Sequence, residues 1–170
     1  MLLPRLVNPR KLVATNATFT RDIDVNHLPR LQEATLSITR VFVDVQFERD
    51  EQHRPQLVGK VEASFELECQ RCLSSMPVDI DHQFRVVMAW DEIQEKALPK
   101  NLDAWIVGDE DADLCAILEE EILLLLPVVP KHDSECLEPK LFQSGEGVES
   151  EAETKENPFS VLAELKGDSE

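Results

Sequence analysis

Four side chains in this sequence have the types and spacing of zinc ligands. Cys69 and Cys72 form a Cys-x-x-Cys pair, and His132 and Cys136 form a His-x3-Cys pair further along the chain. Two thiolates that are two residues apart in a turn can bind one edge of a tetrahedral zinc site, and a second pair would complete it. The set is Cys3His, and 59 residues separate its two halves. The sequence therefore predicts a candidate zinc site whose assembly depends on the fold.

Two other interpretations of these cysteines stay open at this stage. The thiols could be small buried or surface groups, the remnant of a site that no longer binds metal. A redox Cys-x-x-Cys is the other alternative, but such motifs normally open a helix within a βαβ unit, and here strands are predicted on both sides. Cys115 has no second ligand near it in the sequence and is predicted to lie in the core.

The sequence carries few features of an enzyme. No Ser/His/Asp arrangement or HExxH motif is visible, and five glycines in the whole chain leave little scope for a phosphate-binding loop. The consecutive acids Glu119, Glu120 and Glu121 would point in three directions on a helix, so they cannot form one carboxylate site. We interpret them as a solvated helix face and expect no enzymatic activity.

Three runs with a period of two must position the first pair of ligands. They cover residues 35–47, 57–69 and 78–90, and the connections between them are too short for crossover helices, which predicts an antiparallel meander. The Cys-x-x-Cys pair then falls in the hairpin turn after the second strand. A further edge strand is expected around residues 17–23.

Helical signals flank this sheet on both sides. Asp24 is a plausible N-cap for a short helix over residues 26–34, and residues 91–103 are interpreted as a polar connection. Asp113 is predicted to cap a helix that Pro127 ends, and 126–130 are expected to form an extended, packed apolar block. The residues of this helix that should face the sheet are Leu114, Ile117, Leu118, Ile122 and Leu125. The predicted fold is α+β, an antiparallel β-meander of three long strands plus short edge strands, covered by one helix.

Composition divides the chain into one domain and its flanking segments. Residues 1–16 are predicted to be a basic N-terminal arm, and residues 17–143 a single α+β domain. Residues 144–156 hold one valine among small and acidic residues, which predicts a disordered acidic linker. Residues 157–170 are predicted to form a short helix whose apolar side, Phe159, Leu162 and Leu165, docks on this domain or on a partner.

Charge limits the partners that this protein would attract. The formal net charge is -17, with about +2 in residues 1–60 and about -19 in the rest. An acidic body repels the phosphate backbone, so nucleic-acid contact would have to be local or mediated by another protein. The N-terminus lacks the apolar run of a secretory signal, and the longest apolar run, 122–130, is too short to span a membrane. We expect a soluble cytoplasmic protein with neither a membrane nor a small-molecule substrate as partner.

Three segments, in this order and at this spacing, resemble the bacterial YceD family, the large ribosomal RNA subunit accumulation proteins. They are LECQRC at 67–72, EEEILLLLPVVPKHDSEC at 119–136 and NPFSVLAELK at 157–166. The resemblance implies a non-enzymatic role in the synthesis, processing or stability of 23S ribosomal RNA.

The resemblance leaves two mechanisms open. In the first, the protein is an acidic adaptor for a basic ribosomal or rRNA-maturation protein, and the charge favours this one. In the second, it binds rRNA directly and carries a structural zinc knuckle. The residues expected to contact phosphates in that case are Arg5, Arg10, Lys11, Arg21 and Arg71.

Overall fold

The computed structural model describes residues 2–108 and 110–137. Within these residues the chain forms seven strands, four α-helices and one 3-10 turn. In chain order they are β1 (Leu6–Val7), α1 (Pro9–Ala14), β2 (Thr18–Asp22), the 3-10 turn (Val25–His27), α2 (Pro29–Ala34), β3 (Ser37–Arg49), β4 (Pro55–Glu68), β5 (Ser75–Ala89), α3 (Glu92–Ala97), β6 (Asp103–Ile106), β7 (Ala112–Asp113) and α4 (Leu114–Leu125). No helix among the described residues is long and apolar enough to cross a membrane.

A five-stranded sheet in the order β2-β3-β4-β5-β6 forms the centre of the fold. From β2 to β5 each strand is antiparallel to the next, which confirms the predicted meander of three long strands with an edge strand. The fifth strand, β6, is parallel to β5. Parallel neighbours require a crossover connection, and α3 lies in that connection, where the sequence indicated only a polar segment. The side chain of Asp91 caps α3 by accepting a hydrogen bond from the Gln94 N–H at 2.8 Å.

One face of this sheet is packed and the other is polar. The alternation read in the second run is confirmed, because Leu57, Val61, Phe65 and Leu67 are all buried. The helix predicted from Asp113 is confirmed as α4, whose N-cap Asp113 accepts from the Ala116 N–H at 3.0 Å. The residues of α4 that are buried are Leu114, Cys115, Ile117, Leu118, Glu119 and Ile122, while Leu125 is partly buried. The expectation of an α+β meander covered by a helix is therefore confirmed.

The close approach of β3 and β4 depends on Gly59. A Cβ atom at this position would lie 2.4 Å from the main-chain oxygen of Asp44 and 2.8 Å from the Cα of Val45. Separations that short do not occur between real atoms, so only glycine allows the two strands to pair here without a backbone shift.

Residues 2–16, whose sequence has no clear period, contain regular structure. β1 pairs with β7 in a separate two-stranded sheet, and α1 is capped by Asn8, whose side chain accepts from the Lys11 N–H at 3.1 Å. Leu3, Val7 and Val13 lie in the core. A strand of two residues is too short to show a period, and its partner is about one hundred residues away in the chain.

The helix predicted over 26–34 is divided in two. Asp24 caps the 3-10 turn, and α2 begins separately at Pro29 with Leu28 in the N-cap position, so no side chain of its own caps α2. Glu119 of α4 supplies the missing acceptor, because its Oε1 accepts from the Leu31 N–H at 2.9 Å. Glu119 is only 3% exposed. The interpretation of residues 119–121 as a solvated face is therefore wrong for Glu119, whose carboxylate satisfies an orphan N–H at a helix start.

The apolar block 126–130 is not packed throughout. Leu126 is partly buried, but Pro127, Val128 and Val129 are exposed, Val128 at 99%. The prediction of a packed block is wrong here. Two prolines in this segment remove the N–H groups that would let it pair as a further strand, and the segment instead leads from α4 to the loop that carries His132.

Candidate metal centre

The first pair of ligands lies in the hairpin turn between β4 and β5, as predicted. The turn is closed by two main-chain hydrogen bonds, from the Leu73 N–H to the Cys69 oxygen at 2.8 Å and from the Cys69 N–H to the Ser74 oxygen at 2.9 Å. Leu73 has a φ of 60°, a left-handed conformation that large side chains rarely adopt. This tight turn places the thiols of Cys69 and Cys72 on the same side.

The second pair of ligands is brought to the turn by the chain that follows α4. The Gln70 N–H donates to the Pro130 oxygen at 2.8 Å, which joins the two loops just before His132. The helix packs against the sheet through its buried side, so its C-terminal end directs the next residues towards the β4–β5 hairpin. Tertiary packing thus closes the 59-residue separation between the two halves.

The four ligand atoms lie within 4.8 Å of one another. The Cys69 and Cys136 sulfurs are 3.8 Å apart, and the Cys72 sulfur is 3.5 Å from Nδ1 of His132. Typical Zn–S and Zn–N bond lengths give a tetrahedral site with S–S edges of about 3.8 Å and S–N edges of about 3.5 Å. The donor set and the two measured edges therefore fit a tetrahedral zinc ion.

The surroundings favour the ionised form of two of these thiols. Burial opposes ionisation of Cys69, but backbone N–H groups of the turn and of His132 outweigh it and lower its pKa to about 5. Hydrogen bonds from Ser74 lower the pKa of the Cys72 thiol. Burial favours neutral His132, but its contacts with the two cysteines outweigh this and raise its pKa. The site thus favours the thiolate, the form that binds metal, at Cys69 and Cys72.

Arg71 holds in place the loop that carries His132 and Cys136. Its Nε donates to the Cys136 sulfur at 3.0 Å, and its Nη2 donates to the main-chain oxygens of His132 and Ser134. Burial raises the pKa of the Cys136 thiol, and the hydrogen bond from Arg71 offsets this increase only partly. Arg71 was expected to be exposed and to contact phosphates, but it is half-buried and its guanidinium faces the loop that carries His132 and Cys136. The sequence signal for this role is its place between the two cysteines of the turn.

The other residues predicted to bind RNA do not share one environment. Arg5 forms an ion pair with Asp113 at 2.8 Å, and Arg10 lies over the ring of Trp90 at 4.2 Å. Lys11 lies in the last turn of α1 and is exposed, and Arg21 is half-buried on edge strand β2. Phe159, Leu162 and Leu165, predicted to dock on a partner, lie outside the described residues.

Cys115 is buried, as predicted, and lies outside this cluster. Burial raises the pKa of its thiol to about 11, so the group stays protonated at neutral pH. Cys115 is therefore a core residue of α4.

Comparison with known proteins identifies the family. The family model described as "Large ribosomal RNA subunit accumulation protein YceD" matches residues 57–166, a range that includes both halves of the Cys3His cluster. A curated relative from Haemophilus influenzae, named large ribosomal RNA subunit accumulation protein YceD, is 32% identical over 169 residues, which cover 96% of each chain. No solved structure matches the chain. The chain therefore belongs to the YceD family of large ribosomal RNA subunit accumulation proteins.

Proposed function

We propose that this protein is a non-enzymatic ribosome-biogenesis factor that supports the synthesis, processing or stability of 23S rRNA. It acts in the cytoplasm as an acidic adaptor for a basic ribosomal or rRNA-maturation protein. The name of the relative and of the family supports the link to large-subunit rRNA. The observation that carries the adaptor role is the acidity of the described part of the chain, which holds 24 Asp and Glu against 14 Lys and Arg.

The ion pairs that several arginines form with carboxylates support an adaptor role over direct RNA binding. Arg5, Arg30, Arg40 and Arg54 each form an ion pair with a carboxylate at 2.6–3.0 Å. Arg71 donates a hydrogen bond to the sulfur of Cys136. A guanidinium that already has an acidic partner must lose it before it can bind a phosphate, so these groups add little attraction for RNA.

The Cys3His cluster has a structural role in this proposal and binds one zinc ion through Cys69, Cys72, His132 and Cys136. When bound, the ion would link the β4–β5 turn to the loop after α4. All four positions are filled by protein side chains, which is typical of structural sites, whereas catalytic zinc keeps a position for water or substrate. This closed donor set supports a non-enzymatic function.

The adaptor role is tested by what the tagged full-length protein recovers from cells. We expect a basic protein that stays bound after nuclease treatment. Removal of residues 157–170 tests the docking side formed by Phe159, Leu162 and Leu165, and unchanged recovery would count against that side. If the protein recovers rRNA directly and the purified pair shows salt-dependent filter binding in the micromolar range, the direct rRNA-binding alternative replaces the adaptor.

Zinc is tested separately by metal analysis of protein that has never met a chelator. We expect about one equivalent of zinc, as a closed four-ligand site implies. A value under about a tenth of an equivalent would remove the structural zinc centre from the proposal. The adaptor role would still stand.

A further inference from the structure

A mainly polar groove beside the metal centre carries two carboxylates and a few apolar side chains. Its volume is about 230 Å³, and it lies between the end of α2, the end of β4 and the loops that carry the ligands. Leu36 and Pro130 contribute apolar surface, and Glu33 and Glu68 contribute carboxylates. No lysine, arginine or histidine is among the residues that line it. The groove therefore favours a cationic occupant.

Some acids of the described fold are paired with a cation, but the two carboxylates at the groove are not. Glu33 and Glu68 are exposed, and neither side chain forms a hydrogen bond or ion pair with another described residue. By contrast, Asp50 pairs with Arg54 at 2.6 Å, and Glu62 pairs with Lys60 at 2.8 Å. Among the described residues, no cation thus competes with an external partner for the charge at the groove.

The size and shape of the groove suit one long side chain. Its volume is below the roughly 300–1,000 Å³ of pockets that take drug-sized ligands. Leu36 is 55% exposed and so offers apolar surface on which a partner side chain can pack. Lysine and arginine have an apolar stem that can pack on such a surface while the charged head reaches a carboxylate.

The walls of the groove are fixed before a partner arrives. The Gln70 N–H donates to the Pro130 oxygen at 2.8 Å on one side, and the Leu36 N–H donates to the Glu66 oxygen at 2.8 Å on the other. The first of these bonds joins the two loops of the metal centre. A groove held in this way loses little conformational entropy on binding.

We propose that this groove receives an arginine or lysine side chain of a basic protein partner. The stem of that side chain packs on Leu36 and Pro130, and its cationic head pairs with Glu33 and Glu68. The inference rests on the adaptor role proposed above and identifies a surface for it.

The test uses the full-length, zinc-loaded protein and a fluorescein-labelled deca-arginine peptide, with binding followed by fluorescence anisotropy at fixed salt. The variant E33Q/E68Q should weaken binding about tenfold, the effect of losing two partly exposed ion pairs. The matched control E51Q/E110Q removes two exposed carboxylates elsewhere and changes the net charge equally. It should change the dissociation constant by less than about twofold if the peptide binds at the groove.

A second variant, Ala34→Phe, fills the groove without changing its charge and should weaken binding of the same peptide. Circular dichroism checks that this variant is folded. Equal losses of affinity in E33Q/E68Q and E51Q/E110Q would indicate general attraction of the peptide to an acidic protein and would overturn the proposed binding at the groove. Wild-type binding by both groove variants would overturn it too. The adaptor role fails on a different result, the absence of any basic protein bound to the tagged wild type.

Discussion

Replacing Glu119 by alanine should destabilise the protein far more than replacing its neighbour Glu120. The Glu119 carboxylate is buried and accepts the Leu31 N–H, an orphan donor in the first turn of α2. Alanine leaves that N–H buried without a partner, which costs about 1–3 kcal/mol, and leaves a cavity where the side chain was. We expect a loss of about 2–3 kcal/mol in the free energy of unfolding.

Two matched variants separate the hydrogen bond from the loss of charge. E119Q keeps an amide oxygen that can accept from Leu31, so we expect a loss under about 1 kcal/mol. E120A removes the ion pair between Glu120 and Arg30. The side chain of Arg30 is 58% exposed and that of Glu120 is 54% exposed. Exposed ion pairs of this kind contribute about 1 kcal/mol at most. The free energy of unfolding should therefore be clearly lower for E119A than for E119Q and E120A.

The measurement is urea unfolding of the zinc-loaded protein, followed by the fluorescence of its two tryptophans. With a slope of about 2 kcal/mol/M, E119A should lower the midpoint by about 1 M or more, and E120A by less than about 0.5 M. Equal midpoints for E119A and E120A would refute the assignment of Glu119 as the acceptor that caps α2.

Three further predictions follow from the metal centre and the sheet. Cys72→Ser should reduce the zinc content of the purified protein from about one equivalent to below about a tenth, while Cys115→Ala should leave it unchanged because Cys115 lies outside the cluster. Zinc affinity, measured by competition with a chromophoric chelator, should fall as pH falls. The sign follows because a raised pKa of His132 keeps its ring protonated to higher pH, and a proton must leave before metal binds; an affinity independent of pH from 5 to 8 would contradict this. Gly59→Ala should cost about 1–3 kcal/mol in thermal or urea unfolding, because the new methyl group would meet the backbone of β3. Gly108→Ala, where a Cβ meets nothing within 4 Å, is its control, and equal stability of the two variants would contradict the close approach.

Local sequence patterns were sufficient for the main strands and for α4. Alternation along β4 places Leu57, Val61 and Phe65 on one face whatever the rest of the chain does, because successive side chains of a strand point to opposite sides. The same holds for α4, whose spacing of three and four and whose N-cap Asp113 are local features. The Cys-x-x-Cys turn was predictable because it lies between two such strands.

Features that depend on distant segments were missed or read incorrectly. The parallel strand β6 has four residues, too few for a period, and its direction is set by the crossover that contains α3. Glu119 was assigned to solvent because helix periodicity does not reveal that the uncapped start of α2 lies against it. The contact of Arg71 with Cys136 was not predicted, because nothing local shows that the chain after α4 passes beside it.

The sequence by itself determined which residues are able to bind metal, which strands carry them and which family the chain belongs to. Only the tertiary structure decided that the four ligand atoms meet within 4.8 Å, with edges that fit a tetrahedral zinc ion. The reason is physical. Ligand chemistry and strand period are properties of a few adjacent residues, whereas the meeting of Cys72 and His132 requires the packing of α4 on the sheet and the hydrogen bond from Gln70 to Pro130.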